Sequence, residues 1–147
     1  MRRQILITKP DMHRLEQLIQ NRLPSLDAAI ATLEHELDRA VVVDPEKISK
    51  HVVTMNSRVR IDDLDRNIEL VVTIVFPSES NAEQNRISIL APLGAALLGA
   101  RVGTSVRFSA PGGERRVRVI AMEYQPEAAS RNRVSSSRTV DEIEPAA

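Results

Sequence analysis

Cysteine and tryptophan are absent from this 147-residue chain, and Phe76, Phe108 and Tyr124 are its whole aromatic complement. Without cysteine there is no disulfide and no thiolate metal site. With so few aromatic rings, a base-stacking platform or an aromatic-lined ligand pocket is disfavoured. Charge of one sign is lacking too: 20 Lys and Arg stand against 20 Asp and Glu, for a formal net charge of zero and a pI near 6.8. A balanced chain does not generate the field of a general nucleic-acid binder, and no sequence-specific nucleic-acid contact is expected. No apolar run approaches the roughly 18 residues of a spanning helix, and MRRQILITKP has a basic pair but too short an apolar stretch for a secretory signal. The expected compartment is the cytoplasm, with no membrane partner.

What is present is a change of periodicity partway along the chain. Thr8 is placed as a helix N-cap, with Pro10 in the first turn, Asp11 as a short capping-box acid, and Met12, Leu15, Ile19 and Leu23 at helical spacing. The first helix is expected over about Lys9 to Arg22. Pro24 and Ser25 break it, and Leu26, Ile30, Leu33, Leu37 and Ala40 then recur at intervals of four and three, the seam of a coiled coil. An antiparallel helical hairpin follows from this reading, each arm about 20 to 25 Å long.

After Val41 the helical period stops. VVVDPEKISK carries β-branched residues and an Asp-Pro break, which puts a boundary at about residue 43. Beyond it, Val59 and Ile61 alternate with Arg58 and Arg60, Asp62 to Asn67 supply a turn, and Ile68, Leu70, Val72, Ile74 and Phe76 form the apolar face of a second strand. Ile87 and Ile89 mark a short strand after a polar loop. Pro92 opens a short helix that Gly99 ends. Val106 and Phe108, the turn Pro111 to Gly113, and Val117, Val119 and Ala121 complete an antiparallel sheet. The fold class is α+β: a short helical hairpin over residues 1–43, a sheet domain with one short helix over 44–127, and a frayed polar tail over 128–147.

Few residues suggest chemistry. His13, His35 and His51 are isolated from carboxylates at metal-ligand spacing. Gly94 to Gly99 has a GxxxxG spacing without the following Lys and Ser or Thr of a phosphate loop, and its Ala-Ala-Leu-Leu interior reads as a buried helix face. Asp62, Asp63 and Asp65 read as a solvated turn, and Glu34 with Asp38 as the wet side of a helix. Arg101, Arg107, Arg115, Arg116 and Arg118 concentrate positive charge in the late sheet, which reads as edge strands charged against aggregation ahead of a patch that docks an acidic protein surface or screens a nearby nucleic acid. Asp27 is one carboxylate at the hairpin tip, whereas a catalytic Mg²⁺ needs more oxygen ligands. No metal or cofactor is expected.

Two segments carry a resemblance: VVTMNSRVRIDDLD at Val52 to Asp65, and RISILAPLGAALLGARVG at Arg86 to Gly103, followed in order by Pro111-Gly112-Gly113 and YQPEAA at Tyr124 to Ala129. With the short leading hairpin, they resemble the regulators of nucleoside diphosphate kinase within the GreA/GreB transcription elongation factor superfamily. The resemblance implies a coiled-coil hairpin on an FKBP-like domain that binds bacterial RNA polymerase near its secondary channel, with a direct or indirect link to nucleoside diphosphate kinase. In Gre factors a long coiled coil carries acidic tip residues that promote cleavage of backtracked RNA. Here the expected arms are short and the tip, Pro24, Ser25 and Asp27, holds one acid, so the expectation is a non-enzymatic regulator that competes with Gre factors without stimulating cleavage. The rival is a cleavage cofactor acting through Asp27. The Gre-like Ser-Pro segment reads Ala91, Pro92, Leu93, Gly94, Ala95, Ala96, Leu97, Leu98, Gly99, with Ala91 in place of the capping Ser. Ala91, Pro92, Leu93, Gly94, Ala95 and Leu98 are the polymerase-docking candidates, and Leu93, Ala95 and Leu98 also fit a core role. The FKBP-like fold does not bring prolyl isomerase activity, which uses an aromatic pocket this chain cannot furnish.

Overall fold

A computed structural model describes residues 5–21 and 27–131. The chain is α+β. It begins with strand β1 (Ile5–Thr8), helices α1 (Lys9–Gln20) and α2 (Asp27–Leu37), and strand β2 (Ala40–Val43). Five further strands follow, β3 (Arg58–Asp63), β4 (Ile68–Val75), β5 (Arg86–Ser88), β6 (Ser105–Ala110) and β7 (Gly113–Tyr124), with helix α3 (Pro92–Leu97) between β5 and β6.

The start of α1 is as the sequence specifies. Thr8 keeps extended dihedrals and its side chain accepts the Asp11 N–H at 3.3 Å, satisfying one of the helix's orphan donors. The periodicity gave no sign of β1 and β2, which pair in parallel from Ile5 opposite Ala40 to Thr8 opposite Val43. This pairing brackets the two helices with a short ribbon. The chain leaves β1 at its C-terminal end and enters β2 at its N-terminal end, so α1 and α2 together carry it back along the ribbon. Ala40, expected in the helical seam, lies in β2. Ile30, Leu33 and Leu37 are buried as the seam requires, but Leu33 and Leu37 belong to the same apolar cluster as Val106, Val117 and Val119 of the sheet. Leu33 and Leu37 therefore give α2 a face on the domain, and residues on either side of position 43 share one core.

The main sheet has the order β5-β4-β3-β7-β6. All neighbours are antiparallel except β5, which runs parallel to β4 from Thr73 opposite Arg86 to Val75 opposite Ser88. The polar loop before β5 makes that direction possible by carrying the chain past the strand end: Asn81 caps the N–H groups of Glu83 and Gln84, and Asn85 takes a left-handed conformation at φ 55°. In β4 only the second half of the expected apolar face is covered. Val72 and Ile74 are buried, but Ile68 and Leu70, beside the 64–67 turn, remain 43% and 37% exposed. Asp63 also departs from the solvated-turn reading. Its side chain accepts the N–H groups of Asp65 and Arg66, as a turn residue should, yet it is buried and ion-paired with Arg115.

The tail expected to fray from Ala128 is helical over its described part. Residues 126–131 continue from β7 as a helical turn. Gln125 accepts the Ala128 N–H through Oε1 and donates through Nε2 to the carbonyls of Ser49 and Val52 at 2.8 and 2.7 Å. Arg131 donates to the carbonyls of Pro45 and Ile48, clamping the turn to the 44–57 connector.

Candidate docking surface

The loop before α3 is braced by Ser88, and α3 itself has no side-chain cap. Ser88 Oγ accepts the Leu90 N–H at 3.0 Å, its carbonyl accepts the Ala91 N–H at 2.9 Å, and Ala91 makes no side-chain cap of its own. Pro92 sits in the first turn, where the missing N–H is no loss. Gly94 is required by space: a Cβ there would run into the Ser88 carbonyl. Gly99 is required by conformation and space, with φ +80° and Ile5 packed where its Cβ would be.

This packing sorts the docking candidates into two groups. Gly94, Ala95 and Leu98 are buried, as are Leu97 and Ala100; Leu97, Leu98 and Ala100 belong to the apolar cluster, whereas Ala95 keeps 8% of its surface open. Pro92 is exposed, and Ala91 and Leu93 are half-buried, so these three reach the surface. Beside them lies an open groove of about 500 Å³ with three walls. Leu90, Pro92, Ala95 and Ala96 form one, Ala28, Ala29, Thr32 and Glu36 of α2 form the second, and Arg107, Phe108 and Ser109 of β6 form the third.

The α2 wall and the β6 wall are what sequence reasoning missed. The signal for the first was Ala28-Ala29 at the start of a helix otherwise lined by leucines, small residues that leave room beside α3. The second depends on an arginine hidden within the charge cluster. Arg115 lies 5.5 Å from the Phe108 ring centre and is ion-paired with Asp63, so it braces the aromatic wall instead of facing solvent. Arg107 and Arg116 are exposed; the Arg107 side chain reaches Glu114 at 3.5 Å, and Arg116 meets Asp65 through its side chain at 3.5 Å and its backbone N–H at 2.7 Å.

Of the expected tip, Pro24 and Ser25 lie outside the described residues, and Asp27 is the exposed first residue of α2. Among the described residues no three His, Cys, Asp or Glu side chains gather as metal ligands would, and no helix is long and apolar enough to cross a membrane. The surface therefore offers apolar contact flanked by charges.

Comparison with known proteins matches both parts of the chain. Residues 48–124 match the family described as Transcription elongation factor, GreA/GreB, C-term, and residues 3–43 match Rnk N-terminus. The chain is 42% identical over 130 residues to the Regulator of nucleoside diphosphate kinase of Escherichia coli (strain K12), covering 85% of this chain and 93% of that protein. It is 33% identical over 100 residues to Transcription elongation factor GreA of Thermodesulfovibrio yellowstonii, covering 68% of this chain but only 63% of the relative. A solved structure titled Prokaryotic transcription elongation factor GreA/GreB from Nitrosomonas europaea superposes with a TM-score of 0.68 at 41% identity, over 84% of this chain and all of that one.

Proposed function

Because the chain belongs to the GreA/GreB transcription elongation factor family, with the Rnk type of N-terminal segment, we propose that it is a non-enzymatic, cytoplasmic regulator that binds bacterial RNA polymerase near the secondary channel. It competes there with Gre factors and does not stimulate transcript cleavage. The observation that supports this reading is the groove beside α3, an open and largely apolar surface between α2, α3 and β6. Pro92 and Ala95 line it, while Gly94 and Leu98 hold α3 in place from within.

The absence of cleavage activity is supported by reach and by charge. Helices of 12 and 11 residues extend about 18 and 16 Å at 1.5 Å per residue. They pack on the sheet's core, so they fit an entrance better than a long channel. Asp27 is a single exposed carboxylate at the start of α2, short of the two or more oxygen ligands a catalytic Mg²⁺ takes from a protein site.

The test is binding of the purified protein to core RNA polymerase in competition with a cleavage-competent Gre factor, with RNA cleavage followed in the same reactions. Displacement without cleavage is expected, and Pro92→Glu, at an exposed position, should weaken binding about tenfold with the fold intact. Absence of binding rejects the reading. Stimulated cleavage that is lost in Asp27→Ala replaces it with the cofactor role. A second reading rests on the name of the Escherichia coli relative: regulation of nucleoside diphosphate kinase by direct contact, which pull-down of the purified kinase would reveal.

A further inference from the structure

Strand β2 is an edge without the usual protection. It pairs with β1 on one side, and among the described residues no strand lies on its other side. Edge strands present free N–H and C=O groups to any strand that passes, and proteins blunt them with lysine, proline or a bulge. Ala40-Val41-Val42-Val43 contains neither residue, and its register with β1 is unbroken. Val41 and Val42 are 39% and 42% exposed. Neighbouring side chains of a strand point to opposite faces, so the ribbon is open to solvent on both sides of β2. In β1, by contrast, Ile5 and Ile7 are buried in the core. Neither exposed valine lines the groove beside α3.

The strand is complementary to itself. In an antiparallel pair, opposed residues either both turn their N–H and C=O groups toward the other strand or both turn them away. Positions opposed in a self-pair therefore share parity, and the two-fold axis passes a residue. An axis at Val41 sets Val42 against Ala40 and Val43 against Arg39, leaving one valine pair. An axis at Val42 pairs every valine with a valine: Val42 meets Val42, and Val41 meets Val43 twice. One face of the joint then holds four valines and the other holds two, the β-branched pairs that favour strand contact. The ends agree in sign. Arg39 precedes the strand and Asp44 follows it, so antiparallel pairing brings each arginine to the end that holds the aspartate of the second copy. Within its own chain Arg39 is paired with Glu36 at 2.7 Å and Asp44 with Lys9 at 2.9 Å, so the ends set direction and the valines supply the contact.

We propose that β2 is a self-association edge: two copies of this chain join β2 to β2, antiparallel, about a two-fold axis at Val42, and two ribbons become one sheet of order β1-β2-β2-β1. A two-stranded ribbon is marginal by itself, whereas three or more strands with an apolar face support one another. The contact is isologous and closes at the dimer. Three valines from each copy make a small interface, which puts the association in the weak class, with Kd about 0.1 mM.

Sedimentation equilibrium of the full-length protein from about 10 µM to about 1 mM tests the association. The mean mass should rise from 16.3 kDa toward twice that value. Val42→Lys sets two ammonium groups beside the axis and should weaken association about tenfold or more with the thermal melt unchanged. Leu70→Lys, at a comparably exposed apolar residue of β4, should leave association as it is. The chain has no cysteine, so introduced thiols report the register directly. Val42→Cys should cross-link to itself under mild oxidation, because directly opposed residues lie about 4.5–5.5 Å apart at Cα, within disulfide range. Val41→Cys should cross-link about tenfold more slowly, since its counterpart is displaced by two residues and lies beyond the roughly 7 Å limit. A mean mass that stays monomeric to about 1 mM overturns the proposal, as does growth past the dimer, which would mean a head-to-tail contact. Association that survives Val42→Lys or falls with Leu70→Lys, or equal cross-linking at positions 41 and 42, overturns it too. No readout involves polymerase, so the outcome is separate from that of the docking reading.

Discussion

Leu33→Ala tests whether the N-terminal helices and the sheet are one folding unit. Leu33 lies on α2 with 1% of its surface exposed, in a cluster that includes Ile5, Ile7 and Leu15 on one side and Val106, Val117 and Val119 on the other. Truncating a buried leucine removes its transfer free energy and leaves a cavity, together about 2–5 kcal/mol. At a site packed by both a helix and a sheet, collapse around the cavity is restricted, which puts the expected loss at about 3 kcal/mol. With a urea m-value of about 2 kcal/mol/M for a domain of this size, the midpoint should fall by about 1.5 M. The chain has one tyrosine, Tyr124, at the end of β7, so its fluorescence follows the sheet while far-UV circular dichroism follows the helices. Both signals should shift together and by the same amount. A dichroism transition that moves while the tyrosine transition stays in place would mean that α1 and α2 form a separate unit, and the shared-core argument would fail.

Other substitutions probe single features. Gly99→Ala places a Cβ against Ile5 at φ +80°, and should lower stability by about 2 kcal/mol in chemical denaturation, more than left-handed backbone strain alone. Asp63→Asn keeps an acceptor for the turn N–H groups but leaves Arg115 without its counter-charge beside Phe108. Allowing for the partial exposure of Arg115, the loss should be about 2–3 kcal/mol, and a thermal melt unchanged from the parent protein would contradict the bracing role. Asp11 has a folded-state pKa raised chiefly by burial, so its ionisation is unfavourable to the fold at neutral pH and that penalty fades as pH falls through the raised value. Thermal melts should show the parent gaining on Asp11→Asn between pH 7 and about pH 5. The opposite trend would mean that the Met55 N–H and Arg14 outweigh desolvation.

Periodicity identified what local physics controls. Thr8 caps α1 because a hydroxyl at that position can reach the Asp11 N–H whatever the rest of the chain does. Val59, Ile61, Val72 and Ile74 alternate because strands bury one face, and those residues are buried. The same rules did not show that Leu33 and Leu37 share a cluster with the sheet, since spacing alone does not say whether an apolar stripe meets another helix or a sheet. Parallel pairing of Ile5–Thr8 with Ala40–Val43 escaped them because partners so far apart in sequence leave no local turn signature.

The candidate surface was legible to the same limited degree. Ala91, Pro92 and Leu93 could be placed at a helix start from Pro92 and Gly99, and the structure brings those three to the surface. That Gly94 and Leu98 are taken up inside, while Ala95 lines the groove, follows from contacts with Ser88 and the core that are set by tertiary packing. The arginine cluster divides for a comparable reason. On one face of β7, Arg115 turns inward to Asp63 and Phe108, while Arg116 and Arg118 on the other face stay exposed, an alternation fixed by the β6–β7 register. Shifting that register by one residue would exchange the two faces. Phe108 would lose its brace, and the groove beside α3 would lose its third wall, so the length of the Pro111-Gly112 turn is as much a determinant of the docking surface as any residue that lines it.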